Sequence, residues 1–423
     1  MARPAPIRLA GMIAATATFA LAATEATAQT TGQPTPLCDP QAGSTCSSTQ
    51  TMSGEVTGAV DLNVTVDQLE VTTYATGNAL SGGIEDTSGA LTSRQTMTGA
   101  TRAQTTLVLN GESDGVIGTT TQAQANQLSV ATDGATFALD ATQTATGPEV
   151  TARTVLSAPT GHMLAGGFAA TTAVANGVAL GGPSSSITGA VDQSAQTTVL
   201  AETVADVQYI PAPGDFSAQA VANAVQTSTT GASHQDLTIR QTNAPSTIEA
   251  RTDVYVDNAW NLAARANAGA NQTVLYNAGG SLVAATDQTN QGRVRASAQA
   301  QTNLQGQTTV SARAVANEVI AGNQDIYLEL NNTQLNTGGV EATATYTGVS
   351  GYDAYVGAEA VGNSVTGYAC SQCGGEVNVT NSQTNDANVT ATTTATIGAG
   401  RAAVVGATAV GNSATFYVSR PGG

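Results

Sequence analysis

Apolar and polar residues alternate with a period of two along much of the chain. In one such run, Val340, Ala342, Ala344 and Tyr346 are separated by Glu and Thr. This alternation places the apolar set on one face of a β-strand and the polar set on the other. Thr and Val also fit the pleated surface of a sheet. We predict strands in this run and in the similar runs over 56–66, 199–207 and 294–300.

Glycine pairs interrupt these runs, for example at Gly82-Gly83, Gly279-Gly280 and Gly338-Gly339, and they mark turns between strands. An array of Ala-rich helices is the alternative interpretation. The density of Thr, Val, Gly and Asn opposes it, because each of these residues is a poor helix former. The pattern therefore favours an all-β fold.

Two residue types recur in alternation at one shared period, which indicates internal repeats. The first marker is a Gln, at Gln50, Gln95, Gln143, Gln193, Gln241, Gln288, Gln334 and Gln383. The second is an Asn that follows small residues, at Asn78, Asn126, Asn176, Asn223, Asn271, Asn317, Asn363 and Asn412. The steps run from 45 to 50 residues in the Gln series and from 46 to 50 in the Asn series. We predict eight units of about 47 residues, the last of them cut short.

The inward residues of each unit are mostly Ala and Val, so one unit alone buries little area. Stacking near-copies extends one interior and pairs the backbone edges. We therefore predict a β-solenoid of parallel stacked coils over residues 49–423. Marker amides at equivalent positions would form hydrogen-bonded ladders, and solvated turn amides are the alternative. The spacing leaves open whether one unit makes one coil or two.

The N-terminus has the features of a secretory signal peptide. Arg3 and Arg8 precede an apolar stretch from Leu9 to Ala23, and Ala26-Thr27-Ala28 is a small-residue cleavage site. We predict a signal peptide over 1–28, followed by a Cys-containing segment over 29–48. A short N-terminal membrane anchor is the alternative, although the apolar stretch is shorter than a membrane-spanning helix.

Composition excludes several classes of function. The 423 residues carry 13 basic side chains, all Arg, against 30 acidic ones, so the net charge is −17. A Lys-free acidic chain is a poor ligand for nucleic acid, because phosphate contacts require dense positive charge. It also cannot form the Lys-containing phosphate loop of P-loop nucleotide-binding proteins.

Candidate chemistry is sparse. Cys38, Cys46, Cys370 and Cys373 form two closely spaced pairs in a chain with an export signal, so we predict local disulfides. A zinc site or a thiol redox role is the alternative, but the two pairs lie far apart in the sequence. His162 and His234 are expected at the surface. No cofactor or metal is expected.

Carboxylates are scattered, so a pair for glycoside cleavage is not singled out. Sugar-binding aromatics are also few, with Trp260 the only Trp. Trp260 beside Tyr255 could stack on a sugar ring. Filling or covering a unit is the alternative role for Trp260, and we favour it.

The repeats resemble those of bacterial surface proteins. The segments Val361-Gly362-Asn363-Ser364 and Val410-Gly411-Asn412-Ser413 are similar to curlin repeats, although the period is about twice as long and the curlin residue order is not reproduced. In length, export signal and repeat style the chain most resembles the holdfast anchor (attachment) protein D family of stalked alphaproteobacteria. That resemblance implies an outer-membrane-associated tether for adhesive polysaccharide that works with a pore-type exporter and a second anchor protein. It assigns no role to an individual residue.

We therefore expect a non-enzymatic adhesin or anchor at the cell surface. Its partners would be extracellular polysaccharide, other anchor or exporter proteins of the outer membrane, or further copies of the chain, and not nucleic acid. Many weak contacts along repeated units would add up by avidity. A secreted amyloid-like fibre or surface structural subunit, a polysaccharide-cleaving β-helix enzyme, and a trimeric shaft are the alternatives.

Overall fold

A computed structural model describes residues 44–325, 327–370 and 376–419. They form 21 strands: β1 (Ser44–Met52), β2 (Val56–Val64), β3 (Leu69–Glu85), β4 (Ser88–Met97), β5 (Thr101–Leu109), β6 (Glu112–Ser113), β7 (Ile117–Asp133), β8 (Thr136–Ala145), β9 (Glu149–Met163), β10 (Gly167–Pro183), β11 (Ser186–Ala195), β12 (Thr198–Thr230), β13 (His234–Asn243), β14 (Thr247–Asn277), β15 (Ser281–Asn290), β16 (Arg293–Asn323), β17 (Tyr327–Asn336), β18 (Val340–Cys370), β19 (Glu376–Asn385), β20 (Val389–Ala399) and β21 (Ala402–Ser419). The described residues include no helix, and so none that is long and apolar enough to cross a membrane.

All the strands pair in parallel, and they form two sheets. The first sheet has eight strands in the order β1-β4-β8-β11-β13-β15-β17-β19, and the second has thirteen. Each residue pairs with its equivalent one repeat later, as Gln50 does with Gln95 and Thr121 with Thr171. One repeat is therefore one coil, which answers the question that the spacing left open. Eight strands stacked at about 4.8 Å rise roughly 34 Å.

Each coil has four straight segments, as the coil made by β15 and β16 illustrates. Segment 1 is β15, in the first sheet. The long strand β16 then supplies segments 2, 3 and 4, because its pairing is interrupted around Asn303 to Gly306 and again at Ala316. At the second interruption the alternation of buried and exposed residues gives way to six consecutive buried ones. The chain bends there, so residues at both odd and even positions of this short stretch face the interior.

The interior is divided into two apolar lobes. The first lobe lies between segments 2 and 3 and is mostly Ala and Val, with Phe216 and Tyr346 among its few large side chains. The second lobe lies between segments 4 and 1, where Leu282 and Leu328 stack in successive coils. Small side chains suffice because each coil buries its neighbours on both sides, and the lobes run on through the stack.

The predicted all-β solenoid is confirmed, and the alternative of stacked helices is wrong. The proposed signal peptide over 1–28 and most of the segment over 29–48 lie outside the described residues, as do Cys38 and Cys373. Cys46 lies in β1 and packs against the second lobe, and the backbone of Cys370 ends β18. The two disulfides remain a prediction.

Candidate functional site

The eight marker Gln residues lie on segment 1 of successive coils and are hydrogen-bonded to one another. The side-chain Nε2 of each donates to Oε1 of the Gln in the preceding coil, at 2.7–2.8 Å, from Gln95 to Gln383. Nε2 also donates to a main-chain carbonyl across the coil, directly after the marker Asn, as in Gln193 to Ala224 at 3.0 Å. We call this row the Gln ladder.

The marker Asn residues form a second row, the Asn ladder, at the bend between segments 3 and 4. Here Nδ2 donates to Oδ1 of the Asn in the following coil, at 2.7–2.9 Å, from Asn78 to Asn412. Its second proton goes to the carbonyl of the residue after a marker Gln, as in Asn126 to Thr144 at 3.0 Å. The two ladders face each other between the lobes and run in opposite directions.

These amides are internal groups. In the middle coils Gln143, Gln241, Asn176 and Asn271 are almost completely buried, and their donors are used within the stack. Buried amides need such partners, because an unpaired one costs free energy. The ladders therefore hold the coils together, and a ligand has to bind elsewhere.

Two further buried rows have no counterpart in the sequence analysis. A second Asn row lies two residues after the marker Gln, where Asn243, Asn290, Asn336 and Asn385 donate in turn at 2.6–2.8 Å. In the sequence, this row could have been recognised from an Asn that recurs two residues after the marker Gln. A row of Thr hydroxyls crosses the first lobe from Thr73 to Thr203. It joins two segments, so no single spacing along the chain marks it.

The outward face of segment 2 carries ion pairs that join neighbouring coils. They are Arg102 with Glu55 and Glu149, Arg153 with Glu202, Arg251 with Glu202, and Arg295 with Glu249 and Glu341. Arg251 also pairs with Glu249 of its own strand. Hydrogen bonds from Arg102 and Thr57 hold the pKa of Glu55 below its ordinary value. Because the charges compensate one another, this face offers few unpaired groups to a charged ligand.

The outward face of the first sheet is uncharged over most of its area. One column of exposed or half-buried residues follows the marker Gln positions and is Thr or Ser in seven of eight coils: Thr51, Thr96, Thr144, Ser194, Thr242, Thr289 and Thr384. Open grooves beside it are lined by hydroxyls and by Arg240, which lies 3.7 Å from Asp192. Such rows of hydroxyls can exchange hydrogen bonds with sugar hydroxyls.

Exposed aromatic and apolar side chains gather where segment 2 turns into segment 3. Trp260 is 54% exposed and meets Tyr352 edge to face, with ring centroids 5.8 Å apart. These residues belong to coils two apart, and the intervening coil has Gly306 in the same column, where a Cβ would crowd the Trp260 ring. Arg401 lies over the Tyr352 ring at 5.7 Å. We call Trp260, Tyr352 and Arg401 the aromatic edge.

The aromatic edge corrects one expectation. We favoured a filling or covering role for Trp260, but its side chain is about half exposed and does not fill the interior, and its ring partner is Tyr352 rather than Tyr255. Exposed large hydrophobics nearby, Leu304 and Val349, extend the patch. The sequence could not bring Trp260 and Tyr352 together, because they lie 92 positions apart and the exact coil register decides their contact.

The histidines take no part in these features. His162 is partly exposed, lies 3.5 Å from Glu112 and packs edge to face on Tyr209. His234 is hydrogen-bonded to the Ser281 hydroxyl at 2.6 Å, a contact that the sequence did not indicate. Over the described part of the chain, no carboxylate orients that His, and no cluster of three or more His, Cys, Asp or Glu could hold a metal.

Comparison with known proteins identifies one family. The family model described as holdfast attachment protein D matches residues 64–339, roughly two thirds of the chain. This match runs from the end of β2, in the first coil, to just past the end of β17, the first strand of the seventh coil. No curated protein and no solved structure matches the chain.

Proposed function

The chain belongs to the holdfast attachment protein D family, and on this premise we propose that it is a non-enzymatic anchor that tethers adhesive polysaccharide to the outer membrane. The family's role is attachment at the cell surface. The observation that carries the proposal is the aromatic edge, an exposed Trp–Tyr–Arg group on a scaffold whose own amides are already paired.

The chemistry of the aromatic edge suits a sugar ring. Trp and Tyr present flat apolar surfaces with a polar tip, which match the alternating C–H and hydroxyl faces of a pyranose. Gly306 leaves the column between them without a side chain, so one ring edge can approach both aromatics. The Arg401 guanidinium supplies hydrogen-bond donors beside them.

The Thr and Ser column on the first sheet extends the binding surface along the stack. Single hydroxyl contacts with a polysaccharide are weak, because water competes for the same hydrogen bonds. Repetition at the coil spacing lets one polymer chain contact several coils at once. Avidity, rather than one deep site, is then the source of the affinity.

The charge of the protein restricts the ligand class. A net charge of −17 repels a strongly anionic polymer, and most arginines of the segment 2 face are already paired with carboxylates. We propose a neutral or amino-sugar-containing polysaccharide as the ligand. Its binding should weaken little as salt is raised if stacking and hydroxyl contacts dominate.

Export and attachment complete the proposal. The signal peptide over 1–28 directs the chain out of the cytoplasm. In the oxidising environment outside it, the two Cys pairs form local disulfides. An outer-membrane exporter and a second anchor protein are the proposed partners at the membrane.

Binding of purified holdfast polysaccharide to immobilised protein tests the proposal. Trp260→Ala and Tyr352→Ala are expected to weaken binding at least tenfold each, with melting temperatures close to wild type because both rings are about half exposed. Tyr74→Ala is the matched control, since Tyr74 is also a partly exposed aromatic but lies in the first coil. In a deletion strain, the Trp260 variant should fail to restore attachment and the Tyr74 variant should restore it. Equal binding by all three variants would refute the assignment.

A further inference from the structure

A second column of aromatic residues lies on segment 4, close to the corner where the chain passes to segment 1 of the next coil. Tyr276, Tyr368 and Tyr417 occupy equivalent positions in the fifth, seventh and eighth coils, and Gly322 occupies that position in the sixth. The residue before Tyr276 in its strand, Leu275, lies in the second lobe, so the tyrosines face outward. We call Tyr276, Tyr368 and Tyr417 the tyrosine column.

The rings of the tyrosine column overlap along the stack. Tyr368 and Tyr417 are stacked, with ring centroids 5.5 Å apart and ring planes 14° apart. The Tyr368 ring also lies across Gly322, where a Cβ would collide with it. Tyr417 is 51% exposed, and Tyr276 and Tyr368 are half-buried. Part of each ring therefore remains in solvent, and such ring faces can pack on the C–H groups of a pyranose.

The tyrosine column repeats the arrangement of the aromatic edge. In each surface, an aromatic residue of the fifth coil and a Tyr of the seventh lie on either side of a glycine of the sixth. That glycine is Gly306 in the aromatic edge and Gly322 in the tyrosine column. Because the glycine adds no side chain between the rings, each surface extends along the stack over several coils.

The surroundings of the tyrosine column are hydroxyls and carboxylates that already have partners. Thr366 and Thr415 lie two residues before Tyr368 and Tyr417 and share a column on the same strands. In β16 and the turn after it, Glu318 accepts a hydrogen bond from Arg313 at 2.6 Å, and Asp325 accepts one from a main-chain amide at 2.9 Å. Ring faces beside hydroxyls suit uncharged sugar units better than an ionic group.

The two aromatic surfaces lie on opposite sides of the coil. The aromatic edge is at the corner of segments 2 and 3, at the far end of the first lobe, and the tyrosine column is at the far end of the second lobe. Gly306 and Gly322 are 16 residues apart in β16, which corresponds to roughly 50 Å at about 3.3 Å per residue. One sugar unit cannot contact both surfaces, so each would hold a separate segment of polymer.

We propose that the tyrosine column is a second sugar-binding site and that each chain cross-links two segments of polysaccharide. The ligand class rests on the proposed function, while the second site and its position rest on the tyrosine column itself. Two sites on opposite sides of one rigid coil hold polymer segments apart on either side of the stack. The protein would then bind the adhesive into a network as well as hold it at the cell, and bivalent attachment would slow its release.

Counting bound fragments tests for the second site. Short labelled fragments of purified holdfast polysaccharide are equilibrated by dialysis with the full mature chain. We expect two fragments per wild-type chain and one per chain for Tyr368→Ala, because the remaining surface is untouched. Tyr74→Ala is the matched control, since Tyr74 is a partly exposed aromatic of the first coil outside both surfaces, and it should still bind two. One fragment per wild-type chain, or two per Tyr368→Ala chain, would overturn the inference.

Tryptophan fluorescence separates the two sites. Trp260 is the only Trp in the chain, so its emission reports the aromatic edge alone. Tyr368→Ala should lose one bound fragment and keep the wild-type Trp260 titration, which also shows that the variant is folded. If Trp260 does not respond to fragments, the aromatic edge is refuted as a site. A stoichiometry that falls in Tyr368→Ala would even then support the tyrosine column.

A capture assay tests cross-linking. Protein bound to a polysaccharide-coated surface is washed and then offered labelled polysaccharide in solution. The wild type should capture the second polymer. Tyr417→Ala and Tyr368→Ala should bind the surface through the aromatic edge but capture at least tenfold less, since they lack a second working site. Capture by both variants at the wild-type level would show that the tyrosine column does not cross-link polymer.

Discussion

At the scale of single residues, an amide is the side chain that can repeat without conflict in a parallel in-register column. Each amide group carries two donor protons and an acceptor oxygen, so every Gln can donate to the Gln of one neighbouring coil and accept from that of the other. A carboxylate at the same position would place like charges about 4.8 Å apart in a buried column. The opposite directions of the Gln and Asn ladders also let their dipoles largely cancel.

Interrupting the Gln ladder should be costly. Gln193→Leu removes the donor to Gln143 Oε1 and to the Ala224 carbonyl, and it leaves Gln241 Nε2 without one of its two acceptors. With these groups buried and unpaired, we expect a loss of about 2–4 kcal/mol of unfolding free energy, measured by urea denaturation. Gln299→Leu, on an exposed strand position, should change stability by less than about 0.5 kcal/mol. Equal effects of the two substitutions would argue against the ladder as a stabilising element.

The ion pair at Glu55 predicts a pH effect with a defined sign. Hydrogen bonds from Arg102 and Thr57 lower the pKa of Glu55 below its ordinary value of 4.5. Its stabilisation is therefore present above that value and is lost as the pH falls through the folded-state pKa. The stability difference between wild type and Glu55→Gln should be small at neutral pH and vanish in acid, as measured by denaturation at several pH values. A difference that grows in acid would contradict this assignment.

At the scale of elements, the corners set how closely coils can stack. Segments 1 and 2 meet at a turn where glycines of successive coils lie against one another: Gly54, Gly99 and Gly147, and again Gly292 and Gly338. A Cβ on the later glycine would overlap the main-chain oxygen of the earlier one. The adjacent strands impose the spacing between coils. At this spacing the corners of neighbouring coils approach so closely that only glycine fits there.

Adjacent glycines at one corner provide a matched test. A Cβ at Gly338 would overlap the Gly292 carbonyl, whereas one at Gly339 has no atom within 4 Å. Gly338→Ala should therefore lower the unfolding free energy by about 1–3 kcal/mol through a forced backbone shift. Gly339→Ala should be neutral or slightly stabilising, because it restricts the unfolded chain. Thermal denaturation of both variants gives the comparison, and a reversed order would show that the corner relaxes without cost.

At the scale of the whole molecule, stability comes from a sum of nearly equivalent coil contacts. Each coil pairs only with the one before and the one after, as in other repeat proteins, whose energetics follow nearest neighbours. The chain should thus tolerate the deletion of a whole repeat better than a deletion that shifts the pairing of the strands by one residue.

Deleting one repeat tests this property. Removal of residues 252–297 joins Arg251 to Ala298, which takes the place of its register partner Thr252, so the lobes and ladders continue with one coil fewer. We expect a folded protein with a cooperative transition and a proportionally smaller denaturant slope. Removal of 252–296 places Ser297 there instead and turns the following Ala residues outward. That variant should be less stable by several kcal/mol, and equal stability of the two would show that register is not enforced.

The sequence alone determined the strand type, the period and the stacked arrangement, because alternation and recurring markers are local properties repeated along the chain. It also located the residues of both ladders. Tertiary structure decided the direction of the ladder hydrogen bonds, the single coil per repeat and the division into two lobes. The coil and its lobes depend on where long strands such as β16 bend, and period-two alternation does not encode these bends. The aromatic edge was likewise decided by tertiary structure, since Trp260 and Tyr352 meet only because Gly306 occupies the coil between them.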